Sequence, residues 1–409
     1  MEDPTRQPPR NKRPANRNYP PQNAAFNPRQ PDSRNPNRRP VQSNPNVHPR
    51  QKSKGRSFLI FVLIMAAIFC VTLGLTWIYS NRPSSSDTSG NHLSGRDRQN
   101  ATLAISEDLV PYTQMLAFSS DKSLPLYGKF IILDPGHGGT DSGCAYPTID
   151  PTLIECELNL KIAFETRDAL EAQGATVILL RSDDSWVSLY HRIALTHLYC
   201  IQYADQLKED TLSDSEKTGL IGELSDTIQV NSDAVESGGM GIMSGTGVGE
   251  ELARLMDLES NLPNVLFISI HVNSNPDSDY HGTQVYYVTD DSVIASEQNL
   301  LIEDPSYVNN ADFPIRENYY GRDGALNAAF AQSLYDSIIS SAPQMETNAT
   351  STVADNYAVL REHNLTSVLI EVGFISNEKD RSTLTDSDSV SAIANGIADG
   401  CVNFYADES

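Results

Sequence analysis

Three ionisable side chains stand where an open α/β sheet presents its ligands, outside the C-terminal ends of its strands. His137 lies three residues past the apolar run 129–134 (KFIILD), inside the turn PGHGG, whose glycines let backbone approach closely. His271 directly follows the run 265–270 (VLFISI). Glu371 lies towards the end of 367–374 (SVLIEVGF), where an acid among apolar residues is costly unless a metal, a proton or a polar partner compensates for it. A single histidine at a strand end is usually structural. Three such groups at the ends of one sheet describe a site.

The elements that must position them read as alternating strands and helices. Leu158, Ile162, Ala163, Thr166 and Leu170 recur at helical spacing over 157–173, and Gly174 stops that helix. A second apolar strand follows at 175–180 (ATVILL), another at 283–288 (TQVYYV), and helices are expected near 324–341 and 388–405. Continuous apolar strands between helices predict an α/β fold: a single domain with a mainly parallel twisted sheet flanked by helices on both faces. Residues 198–262 and 289–322 break the alternation and read as insertions, part helical and part loop. The Gly-rich stretch ESGGMGIMSGTGVGEE in the first is neither GxGxxG nor a Walker loop and follows no strand, which excludes a nucleotide site.

Charge divides the chain. The net charge of −23 combines a segment 1–57 with 13 basic and 3 acidic residues and a remainder with 17 basic and 50 acidic ones. The acidic remainder argues against nucleic acid as a partner, since phosphate binding needs Lys and Arg. Between the two lies 58–79 (FLIFVLIMAAIFCVTLGLTWIY), uncharged and as long as the roughly 20 residues that cross a bilayer. Arg50, Lys52, Lys54 and Arg56 precede it, so the positive-inside rule puts the N-terminus in the cytoplasm and the body outside. The expected organisation is a disordered basic cytoplasmic tail over 1–57, a transmembrane helix over 58–79, an external linker over 80–127 and a folded domain over 128–409. Cys144, Cys156, Cys200 and Cys401 allow three full pairings, lack CxxC spacing, and read most simply as small buried residues.

The strings ILDPGHGGTDSG, ECELNLKIA, GATVILLRSDD, FISIHVNS, HGTQVYY and SVLIEVGFISN follow one another in the order found in the zinc-dependent N-acetylmuramoyl-L-alanine amidases of the amidase-3 type, which this sequence resembles over 128–405. The resemblance implies Zn2+ held by His137, Glu155 and His271. Glu157 is the rival to Glu155, and the family's spacing to Leu160, Ile162 and Ala163 selects Glu155. Cys156 departs from the Lys common at that position. The same resemblance makes Glu371 the catalytic carboxylate. Asp134 would orient His137 or close the DPG turn, Arg181 and Arg192 would serve the fold as ion pairs, and Asn273 would donate to a carbonyl or to substrate.

Two imidazoles and one carboxylate leave zinc a net positive charge and an open position for water. The implied reaction is hydrolysis of the amide between N-acetylmuramic acid and L-alanine in peptidoglycan, by a domain facing the cell wall from the membrane surface. A zinc peptidase acting on the stem peptide would use the same ligands, and a non-catalytic wall-binding or regulatory module is the reading from another class. A carboxylate of 250–260 (EELARLMDLES) could also occupy the open position until a regulatory protein displaces it.

Overall fold

The computed structural model describes residues 113–114, 116–207, 212–232, 250–303 and 322–408. The expected cytoplasmic tail, the transmembrane run 58–79 and most of the linker lie outside these residues. Among the described residues no helix is long and apolar enough to cross a membrane.

Six strands form the main sheet: β1 (Phe130–Pro135), β4 (Thr176–Leu179), β5 (Val265–Asn273), β6 (Gln284–Tyr287), β7 (Thr352–Ala354) and β8 (Thr366–Phe374). Their order is β4-β1-β5-β8-β6-β7. The first four in that order run parallel, β6 runs antiparallel to β8, and β7 runs parallel to β6. A short hairpin, β2 (Ala145–Tyr146) with β3 (Leu153–Ile154), stands apart from the sheet.

The helices are α1 (Glu155–Ala172), α2 (Leu189–Leu207), α3 (Asp214–Ser232), α4 (Glu250–Ser260), α5 (Asp290–Glu303), α6 (Gly324–Ser341), α7 (Ala358–Arg361), α8 (Glu378–Thr385) and α9 (Ser387–Asp407). Alternate strand residues face opposite sides, and the two apolar clusters divide accordingly. Phe130, Ile132, Val265 and Phe267 pack with Leu198, Leu224 and Leu255 of α2, α3 and α4. Ile131, Leu133, Leu266 and Ile268 pack with Ile162, Leu334 and Ile397 of α1, α6 and α9. Helices therefore cover both faces of a mainly parallel sheet, as its apolar strands require.

Three boundaries differ from the expected ones. Leu116 and Leu126 are buried in the clusters, so the packed domain starts before residue 128 and the end of the expected linker belongs to it. Residues 198–207 complete α2 instead of opening an insertion, because an almost unbroken face from Ile193 to Ala204 is buried. His271 falls inside β5, which continues to Asn273. The strand β7 was not legible, being three residues long at the sheet's edge.

The face covered by α2, α3 and α4 contains one buried ion pair. His197 Nδ1 lies 2.6 Å from Glu259 Oε1, and Glu259 Oε2 accepts the Asn364 N–H at 3.0 Å. Both side chains are almost wholly removed from water. Removing Glu259 leaves the buried His197 imidazole and the Asn364 N–H without their acceptor. Glu259→Ala should therefore lower unfolding stability by about 3 kcal/mol or more, read from chemical denaturation; a loss within 0.5 kcal/mol, the range of an ordinary surface change, would show that the pair contributes little.

Candidate metal centre

The turn after β1 is shaped by its neighbours. Gly136 has no room for a side chain: a Cβ there would lie 2.2 Å from the imidazole of His271. His137 adopts φ 61°, a left-handed conformation unusual outside glycine. Two buried arginines hold that strained turn from behind. Arg181 donates to the carbonyls of Pro135, Gly136 and Cys156, each at 2.8 Å. Arg192 donates to the carbonyls of Pro135 at 2.9 Å and His137 at 2.6 Å, and pairs with Asp134. Arg192 thus forms the expected ion pair, whereas Arg181 works through backbone carbonyls.

Glu155 opens α1, where the positive end of the helix dipole favours an anion. Its Oε1 lies 3.1 Å from His137 Nε2 and 3.0 Å from His271 Nδ1, and accepts the Val272 N–H at 3.2 Å. Oε2 accepts the Cys144 N–H at 2.7 Å. Gly143 lets these groups meet, since a Cβ there would reach Glu155 Oε2 at 2.4 Å. Glu157, two residues on, is exposed. The two imidazoles stand edge to face with centroids 4.9 Å apart.

One ligand atom each from His137, Glu155 and His271 falls within 4.8 Å of the other two. Ligands on a tetrahedral ion with bonds of about 2.0–2.2 Å stand roughly 3.3 Å apart, close to the His–Glu separations. The donor set fits a metal ion.

Glu371 completes the cluster. It sits beside His271 in the register of β5 and β8, with Gln284 of β6 on its other side. It is buried, and its Oε2 has no hydrogen-bond partner. Burial first, then the negative charge of Glu155, pushes its carboxyl well above the usual range. Glu155 behaves oppositely: burial opposes its charge, but the hydrogen bonds and charges of His137 and His271 hold it well below that range. The two carboxyl groups are driven apart, one ionised and one able to hold a proton.

Other expected residues have different roles. Asp134 does not touch His137; it accepts from Ser269 Oγ at 2.8 Å and pairs with Arg192, because it shares the face of β1 that α2 covers. The carboxylate beside His137 is Asp141, 2.8 Å from Nδ1. Asp141 escaped the sequence reading, although its place four residues after His137 in a Gly-rich turn makes a return contact feasible. Asn273 Oδ1 accepts the Ser274 N–H. Cys144 is half-buried at the site, its Sγ 3.1 Å from the Val272 carbonyl, while Cys156, Cys200 and Cys401 are buried; all four are free thiols. Glu259, the buried acid of α4, is committed to His197 and supplies no ligand to the centre.

Burial opposes a proton on His137, but hydrogen bonds to Asp141 and Glu155 outweigh it and raise the imidazole from 6.5 to about 10. Without metal its contribution to stability is full below 6.5 and is lost as the pH rises through about 10. In imidazole NMR of metal-free protein, His137 should titrate near 10, and Asp141→Asn should lower that by about a unit or more. An unchanged titration in the variant would remove Asp141 as the cause.

The family model described as N-acetylmuramoyl-L-alanine amidase matches residues 131–210 and 242–403. The gap falls between the end of α2 and the start of α4, so the whole of α3 lies in an addition to the family pattern. A probable cell wall amidase, LytH, of Staphylococcus aureus is 40% identical over 94 residues, 23% of this chain and 32% of the relative. The match thus spans about a third of that curated relative's length. Among solved structures, the CwlD amidase of Clostridioides difficile in complex with the GerS lipoprotein is similar at 24% identity and TM-score 0.40, covering 68% of this chain and all of that one. An N-acetylmuramoyl-L-alanine amidase of Clostridium difficile 630 is similar at 18% identity and TM-score 0.40, covering 69% and 98%. With the family pattern laid across most of the sheet and over His137, Glu155, His271 and Glu371, this chain belongs to the N-acetylmuramoyl-L-alanine amidase family.

Proposed function

We propose that the domain hydrolyses the amide between N-acetylmuramic acid and L-alanine in peptidoglycan, using Zn2+ held by His137, Glu155 and His271. The observation that carries this reading is the convergence of those three donors beside a buried carboxyl, Glu371, with an unpartnered oxygen. Two neutral imidazoles and one carboxylate are a catalytic zinc set, which leaves a position open. When bound, zinc would supply Lewis acidity toward the scissile carbonyl and lower the pKa of a coordinated water.

The chain's own residues supply the proton handling. Glu371, its free oxygen facing no protein donor, takes a proton from the attacking water and passes it to the departing alanine nitrogen. Its raised pKa suits a group that must hold that proton between the two steps. Asp141 fixes the tautomer of His137 by accepting from Nδ1, which leaves Nε2 as the ligand atom. Arg181 and Arg192 keep the His137 turn in place and do not touch the reacting atoms.

The location is part of the same proposal. The apolar run 58–79 and the basic residues before it support a tether that leaves this domain on the wall side of the membrane.

On purified peptidoglycan the full chain should release new amino termini that belong to alanine. Glu371→Gln should reduce that release by about 10²–10⁴-fold with bound zinc unchanged, whereas His271→Ala should lose the metal. New termini on any residue other than alanine would replace this reading with a stem-peptide peptidase, and native chain that binds wall without cleaving it would replace it with a non-catalytic module.

A further inference from the structure

Glu371 has a metal side and a second side. Towards β5 it stands beside His271; towards β6, which runs antiparallel to β8, it stands beside Gln284. Residues directly opposite each other in an antiparallel pair share a face. Alternation puts Tyr286 on that face too, opposite Leu369, while Val285 between them joins the other apolar cluster. Gln284 is fixed at both ends of its amide: Nε2 donates to the Thr350 carbonyl at 2.8 Å, and Oε1 accepts from Tyr286 Oη at 3.3 Å. The Tyr286 side chain therefore reaches along the face towards the level of Glu371.

Tyr357 completes this second side. It directly precedes α7, and its carbonyl accepts the Leu360 and Arg361 N–H groups at 3.1 and 2.9 Å, which fixes its backbone. Its ring stands edge to face with that of Tyr286, the centroids 5.1 Å apart. Burial first, and then the charge of Glu371, pushes its phenol up, so Glu371 is the charged group that this hydroxyl feels most. The hydroxyl of Tyr286 is engaged by Gln284. That of Tyr357 has no hydrogen-bond partner among the described residues, and neither has the buried Glu371 Oε2. A donor and a carboxyl thus face the same place without touching each other.

The course of the reaction says what comes there. The scissile carbonyl belongs beside His271 and its fellow ligands, and Glu371 delivers its proton to the departing alanine nitrogen. The peptide arm therefore leads from the ligands past Glu371 towards β6, where Gln284, Tyr286 and Tyr357 stand. One residue of extended chain spans about 3.5 Å and neighbouring strands lie about 4.8 Å apart, so the first carbonyls of the arm fall between β8 and β6. Each is an acceptor that loses water on entering. Resting on the amidase reading above, we propose that the Tyr357 hydroxyl, braced by Tyr286, donates a hydrogen bond to a main-chain carbonyl of the substrate's peptide arm. Tyr357 then binds the peptide half of the substrate and not the glycan half.

Product inhibition separates the two halves. Peptide arms freed from purified peptidoglycan by an established amidase, and N-acetylmuramic acid, are added to assays of the native full chain and of Tyr357→Phe, which keeps the ring against Tyr286. In the variant the inhibition constant for the peptide should rise by about three- to tenfold, the scale of one neutral hydrogen bond, while that for N-acetylmuramic acid stays unchanged. Equal rises for both products would give Tyr357 a structural role and overturn the proposal. An unchanged constant for the peptide, or a native chain that the peptide does not inhibit, would overturn it as well. If the native chain cleaves no peptidoglycan, the amidase reading fails, and calorimetric titration of the same two products into the same two proteins decides Tyr357 separately.

Discussion

The structure depends on keeping one carboxylate charged out of water. Glu155 is buried at the start of α1, and an isolated carboxylate there would take a proton instead. It stays ionised because two imidazoles and two backbone N–H groups, of Cys144 and Val272, converge on its two oxygens. Those partners come from three parts of the chain: the turn after β1, the residues leading into the hairpin, and β5. Satisfying one charge therefore fixes how strand, turn and helix meet.

That requirement explains the glycines and arginines around it. Gly136 and Gly143 stand where any side chain would collide with His271 or with Glu155. Such tightness leaves the His137 turn strained, and Arg181 and Arg192 oppose the strain by gripping its carbonyls. Two cations buried so close together are tolerable because nearly every donor faces a carbonyl and Asp134 supplies a counter-charge. Arginines that read as simple ion pairs are better understood as the mould of the ligand turn. The same electrostatics separates the carboxyls: Glu155 is held ionised by its imidazoles, and its charge adds to burial in raising the pKa of Glu371.

The opposite face of the sheet solves a different problem. There α2, α3 and α4 cover Phe130, Ile132 and Phe267, and the His197–Glu259 pair ties α4 to α2. The family pattern resumes at residue 242, just before α4, after an addition that holds all of α3. The ion pair gives the returning chain a fixed point in an otherwise apolar layer, because a displaced Glu259 would lose all its compensation. An acid in this helix that could have been imagined at the metal is instead a structural anchor.

Periodicity and turn chemistry made most of the fold legible. Apolar runs longer than four residues and glycine stops located β1, β4, β6, β8 and α1 to within two residues, and the start of β5, since burial on both faces leaves an unbroken apolar signature. β7 was lost because three residues at an edge carry no period. The strand-end positions of His137 and His271 and the misplaced acid of Glu371 were visible in the sequence for the same reason. What the sequence could not decide was partnership. The choice of Glu155 over Glu157 rested on the family's spacing and not on periodicity, and Asp141 rather than Asp134 beside His137 is a turn-specific contact that spacing does not encode. Composition and spacing determine which groups are available and which face they occupy. Only the packed backbone decides which charges lie within 3 Å of each other, because hydrogen bonds depend on direction and distance that linear spacing does not encode.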